Sequence, residues 1–364
     1  MKQEIKERLV SLKSTKQHKE KLLKAKELIV NTDILIQENV LAYFDFDNDM
    51  WYNEENYFKK FLEYKKKSNG AYNNVDCDVS LLCVVMYSLL NDNLCIKDIV
   101  NQCNSESKFE IRTNDAIYKG DTLTSALRSM KLYLGCLWED INKNEELKNE
   151  KKYYDFHKLF DSVSYRVPIP SIEPTINWEE YCYQNSEIIW EAMDNSARSF
   201  LKSVFKFGNF MCIPGKSYQI TEKFWTSFNI ARSCAGRWDT IDILLWKMYL
   251  YFTNKDKRYL FSVFATKKEI KKIITEETEL FLKDMGTAEW EQFIEKNCLD
   301  DFVCERSKVP ISMKTGTEIS LDEDERYIAI PKTIDEFKEY FNQLSDRIDK
   351  RGKKMLKRLE VLNK

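Results

Sequence analysis

Histidine is almost missing from this chain: among 364 residues only His18 and His157 occur. Ser/His/Asp catalysis would have to use one of these two, each set in a charged or amphipathic helical pattern. Zinc needs clustered Cys or His ligands, and two distant histidines supply no such cluster. The ten cysteines (77, 83, 95, 103, 136, 182, 212, 234, 298 and 304) include no Cys-x-x-Cys pair. Most lie in apolar runs such as Val79–Leu90, which fits buried free thiols in a reducing cytosol. There is no apolar run of about 18 residues, so a membrane span is not expected. Residues 1–27 are charged throughout, unlike a secretory signal. A cytoplasmic protein is the expectation, and the Lys-, Asn- and Ile-rich usage matches an AT-rich bacterial genome. A Walker-type phosphate loop, GxGxxG, HExxH and GxSxG are all missing as well.

What the chain does have is core material. Hydrophobic residues make up 43% of it and aromatics 13%, enough to argue against wholesale disorder. Charged residues reach 32% yet nearly cancel, with a formal net charge of −2, so no global case for nucleic acid follows. The positive charge is unevenly placed. It gathers in residues 1–27, 347–364 and 198–247. The first two runs read as solvated helix faces; the third lies in apolar, aromatic surroundings.

Hydrophobic spacing predicts a mainly α fold, with roughly ten or more helices packed in layers. Helices are predicted over 1–30, 54–67, 78–91, 120–141, 153–165, 178–205, 238–252, 267–283 and 334–362. A short helix is also expected over Ile96–Cys103. The runs 78–91 and 238–252 are apolar nearly all round, as central buried helices are. Residues 109–115 suggest an extended segment, and a small β hairpin is expected near 317–330. Pro168, Pro170 and Pro174 place a soft boundary at 166–175. It separates an N-terminal helical part (1–165) from a central part (176–296), followed by a β element and long helix (297–364). All three are also compatible with one domain.

Glycine and proline are scarce, nine and six in all, and the stretch 205–246 concentrates them: Gly208, Pro214, Gly215 and Gly236. Three constellations stand out. Gly120-Asp121-Thr122 with Ser125 and Arg128 reads as a helix start capped by Asp121 or Thr122, or as a polar helix N-terminus holding an anion. Lys206-Phe207-Gly208-Asn209-Phe210 reads as a turn between helices, or as a loop offering backbone amides near Asn209 to a ligand. Asn229, Arg232, Arg237 and Asp239 combine two forked donors with Trp238, as a phosphorylated, stacked ligand would require. A structural Asp–Arg pair and a helix cap at Asp239 account for them equally well.

The order GDTxxS, GNFxxxP, FNxxR and D-x-x-D before an apolar helix (Asp239 to Asp242) resembles an uncharacterised bacterial family known only as a domain of unknown function. The likeness covers about residues 40–255. It implies that Asp121, Asn209, Asn229 and Arg232 group together, and it carries no reaction. The segment Gly208–Pro214 also resembles a turn of HNH-type nucleases. Residues 158–204 hold no histidine, which argues against an active enzyme of that type.

Asp45, Asp47 and Asp49 fail the calcium-loop pattern, since Met50 and Asn56 stand where glycine and glutamate are required. Magnesium needs only one or two protein carboxylates and is the metal this triplet admits. Two functions follow. One is a cytosolic helical protein with a polar pocket for an anionic ligand, a nucleotide or nucleic-acid phosphate, lined by Asp121, Thr122, Ser125, Arg128, Asn209, Asn229, Arg232, Arg237 and Asp239. The other is a non-enzymatic interaction or inhibitor protein of bacterial or phage conflict systems, docking a partner through its cationic terminal helices.

Overall fold

The computed structural model describes residues 98–101, 109–112, 116–124, 126–161, 178–204, 206–214, 217–220, 223–226, 233–234, 238–239, 241–260, 268–320 and 331–362, with positions 11, 20, 24, 27, 57–59, 61–62, 87 and 90–91. The fold is mainly α. Three strands come first: β1 (Asp98–Asn101), β2 (Phe109–Arg112) and β3 (Ile117–Thr122). Six helices follow: α1 (Ala126–Lys143), α2 (Glu145–Lys148), α3 (Lys151–Asp161), α4 (Trp178–Gln184), α5 (Ser186–Ala192) and α6 (Asn195–Ser203). A single 3-10 turn, Phe207–Asn209, leads into β4 (Phe210–Pro214). Two short pairs come next, β5 (Ser217–Ile220) with β6 (Lys223–Thr226) and β7 (Ser233–Cys234) with β8 (Trp238–Asp239). The chain continues with α7 (Ile241–Asn254), α8 (Lys268–Asp284), α9 (Trp290–Lys296) and the long α10 (Ile334–Leu362).

The helices follow their apolar spacing. Met130, Tyr133, Leu134, Leu137 and Ile141 are the buried stripe of α1. Asp194 caps α6, its Oδ1 accepting the Ala197 amide at 3.0 Å. Thr333 caps α10 through the Glu336 amide at 3.2 Å, and the Glu336 carboxylate accepts the Lys332 amide at 2.6 Å. The buried face of α10 runs from Ile334 through Phe337, Phe341, Leu344 and Ile348 to Met355 and Leu359. Phe341 stacks on Phe200 of α6 at 4.5 Å and meets Tyr133 of α1 edge-on at 5.4 Å. Each such fully buried aromatic contributes roughly 1.5–3 kcal/mol. Buried residues from position 57 to position 359 form one contiguous core.

Besides Trp238–Asp239, which form β8 instead of the start of the predicted helix 238–252, two stretches expected to be helical are strands. Residues 98–101, inside the predicted helix Ile96–Cys103, form β1, and residues 120–122, at the start of the predicted helix 120–141, form the end of β3, so α1 starts only at Ala126, past Asp121 and Thr122. The reason is non-local pairing. The sheet has the order β1-β2-β3-β4, entirely antiparallel, and β3 is an inner strand with ladders on both sides. Those ladders outweigh the local preference for a cap. Near the expected C-terminal hairpin, Val303 bridges Pro310 and Ile311 bridges Glu318; residues 321–330 lie outside the described residues.

Candidate functional site

The ladder between β3 and β4 joins two of the three constellations. Thr122 pairs with Phe210, Asp121 with Met211 and Gly120 with Cys212. Just past the strand, the Leu123 amide donates to the Asn209 carbonyl at 2.9 Å. The GDT and GNF segments are therefore immediate neighbours at one end of the sheet. Arg128 lies in the first turn of α1, which begins shortly after this end. Asp239 sits in β8 opposite Ser233, two residues ahead of α7. Ser125, Asn229, Arg232 and Arg237 lie outside the described residues, as does the Asp45–Asp47–Asp49 triplet on which magnesium was expected. Among the described residues, no group of three or more His, Cys, Asp and Glu side chains is arranged to hold a metal ion.

The GNF segment is interior. Asn209 has no exposed surface; its Nδ2 donates to the Val204 carbonyl at 2.8 Å and its backbone amide to the Lys206 carbonyl at 2.9 Å. The Phe210 amide bonds the Phe207 carbonyl. The amides that the sequence offered to a ligand thus close the 3-10 turn, as buried N–H groups must be paired. Thr122 is 5% exposed.

Sequence reasoning missed what lies behind this turn. Arg351 of α10 has no exposed surface, and its Nη1 donates to the carbonyls of Gly208 (2.6 Å) and Phe210 (2.7 Å). Its Nε donates to the Asn297 carbonyl at 2.9 Å. The Asn297 side chain in turn accepts the Tyr87 hydroxyl. Burial pushes the Tyr87 phenol far above its usual range, reinforced by the Cys212 thiol and opposed by the Arg351 charge, so it stays a protonated donor. The backbones of α10 and the turn touch. A Cβ added to Gly208 would lie 1.8 Å from the Ile348 carbonyl oxygen, and one added to Gly352 would lie 3.2 Å from the Gly208 nitrogen. Lys206 closes the contact with an ion pair to Asp349 at 2.6 Å.

The signal in the sequence was a gap. The stripe of α10 steps from Ile348 to Met355, and the positions between them on that face are Arg351 and Gly352. An arginine and a glycine in a core stripe mark a buried charge and a close backbone approach.

No family model matches the chain, and no curated protein and no solved structure matches it either. Among the described residues no helix is long and apolar enough to cross a membrane.

Proposed function

We propose that this chain binds an anionic ligand, a nucleotide or nucleic-acid phosphate, at the end of the β3–β4 ladder, where α1 begins. The observation that carries this reading is the adjacency of the GDT and GNF segments, two sequence-distant stretches placed side by side. A strand running into the first turn of a long helix is where backbone amides and the helix dipole favour a phosphate. Arg128 belongs to that turn. Asp121, Thr122 and Ser125 are the polar residues that precede it in sequence, and Asn209 supports it from the interior. Arg232 and Arg237 are the forked donors that would take phosphate oxygens, Trp238 would supply a stacking face, and Asn229 and Asp239 would complete the polar set. Binding, not turnover, is what this reading claims.

The test is fluorescence anisotropy with a fluorescein-labelled single-stranded DNA oligonucleotide, with ATP as competitor. Arg232→Ala and Arg237→Ala are expected to lower affinity by about tenfold or more each, with an unchanged melting temperature. Affinity should also fall as salt is raised. A wild-type protein that binds neither probe, or variants whose binding and melting temperature fall together, would sink the reading.

A second reading, an interaction or inhibitor protein, draws on α10. Lys353 and Lys357 lie one turn apart on its exposed side and form no ion pair among the described residues. Light scattering behind size exclusion, with a pull-down, tests this; a strict monomer that retains no macromolecule excludes it.

A further inference from the structure

We infer that Arg351 is a positioning residue for the β3–β4 end, setting the place of the GNF turn and, through it, of Leu123 and the GDT strand. Three successive carbonyls are used alternately. Those of Gly208 and Phe210 accept from Arg351, and that of Asn209, between them, accepts from the Leu123 amide. One guanidinium nitrogen therefore fixes the step from 3-10 turn to strand, and the middle carbonyl passes that position on to the end of β3. The guanidinium is itself oriented, because the Asn297 carbonyl holds its Nε and Tyr87 holds the Asn297 side chain. A planar fork can serve Nε and Nη1 acceptors together; a lysine ammonium on a flexible stem cannot. The Gly208–Gly352 contact and the Lys206–Asp349 pair hold the same two segments together, so Asp349, Arg351 and Gly352 of α10 all meet the turn at 206–210. The consequence for binding rests on the reading that this end of the ladder is the ligand site; the consequence for local order does not.

The experiment is hydrogen–deuterium exchange on the full chain, run beside oligonucleotide anisotropy, for wild type, Arg351→Lys, Gly352→Ala and Leu344→Ala. Leu344 is a buried stripe residue of α10 and controls for general loss of packing. Arg351→Lys should speed exchange by about tenfold in peptides covering 207–212 and 117–123, leaving α3 and α7 unchanged. Gly352→Ala, which crowds the Gly208 nitrogen at 3.2 Å while keeping the charge, should do the same more weakly, and it serves if the lysine variant fails to fold. Leu344→Ala should raise exchange across all slow peptides alike. A uniform rise in both the Arg351→Lys and Gly352→Ala proteins, or no rise in either, would overturn the positioning role. Where wild type binds the oligonucleotide, Arg351→Lys should weaken it by a similar factor and Leu344→Ala should not; equal affinity of the lysine variant overturns the link to binding. If wild type does not bind, the ligand reading fails alone, and the exchange pattern still decides the role of Arg351.

Discussion

The helices α7 and α10 bury their charges in opposite ways. The first is short and apolar nearly all round, with every residue from Ile241 to Met248 inside. The second is a 29-residue amphipathic helix with one buried stripe. Each carries an ionisable side chain with no exposed surface: Asp242 in the first turn of α7, Arg351 toward the end of α10. Asp242 accepts the amides of Ile243 (3.2 Å) and Met313 (3.1 Å), whereas Arg351 donates to the carbonyls of Gly208, Phe210 and Asn297. A bare buried charge would cost many kcal/mol, and in both places backbone groups of a remote segment offset that cost. The carboxylate also sits at a helix N-terminus, where the dipole favours it. Arg351 has three carbonyl acceptors spread over two separate segments, so it ties α10 to both the GNF turn and Asn297.

The largest effect should come from Gly208→Ala. The added methyl group would meet the Ile348 carbonyl oxygen at 1.8 Å and the Gly352 nitrogen at 2.7 Å, both backbone atoms that cannot rotate away. A loss of about 4 kcal/mol or more in urea unfolding is expected. Next comes Arg351→Met, which leaves buried carbonyls without their donor and should cost roughly 3 kcal/mol. Asp242→Asn keeps an oxygen for the Met313 amide and should cost less, about 1–2 kcal/mol. The reverse order for these last two would break the comparison, since it would make the carboxylate the more demanding of the two buried charges.

How far the sequence revealed this depends on whether each feature is local. The apolar run of α7 and the three-to-four spacing of α10 are local periodicities; α10 forms where the pattern puts it, and α7 forms with its start at Ile241 rather than Trp238, which lies in β8. The end of β3 was hidden because Gly120, Asp121 and Thr122 read equally well as a helix start, and the partner strand Phe210–Pro214 lies beyond the six described helices α1 to α6. No short window contains that pairing. The likeness to an uncharacterised family expected Asp121, Asn209, Asn229 and Arg232 to group. The ladder places the backbones of Asp121 and Asn209 at one end of the sheet, and the other two lie outside the described residues. Arg351 was passed over because a charged residue near a basic C-terminal run looks like one more solvated lysine or arginine. Its neighbour Gly352 was the better clue, as glycine costs about 1 kcal/mol relative to alanine inside a helix.

The smallest expected effect lies one turn along α10 and isolates what burial does. Lys354 reaches Asp301 at 2.7 Å and Asp300 at 3.7 Å, but its side chain is 44% exposed. Lys354→Met should therefore cost only about 0–1 kcal/mol, and less in high salt. Burial lowers the pKa of Lys354, while the hydrogen bond to Asp301 and the charges of Asp301 and Asp300 together raise it further, so the folded value lies above the unfolded one. The pair's contribution is then fully present below the unfolded lysine pKa of about 10.4 and is lost as pH rises through the folded value. Urea titrations between roughly pH 9 and 12 should show the Lys354→Met difference shrinking toward zero. A guanidinium does not titrate in that range, so the Arg351→Met difference should persist across it. If the two differences faded together, the distinction between a buried, backbone-bonded charge and an exposed ion pair on the same helix would be lost.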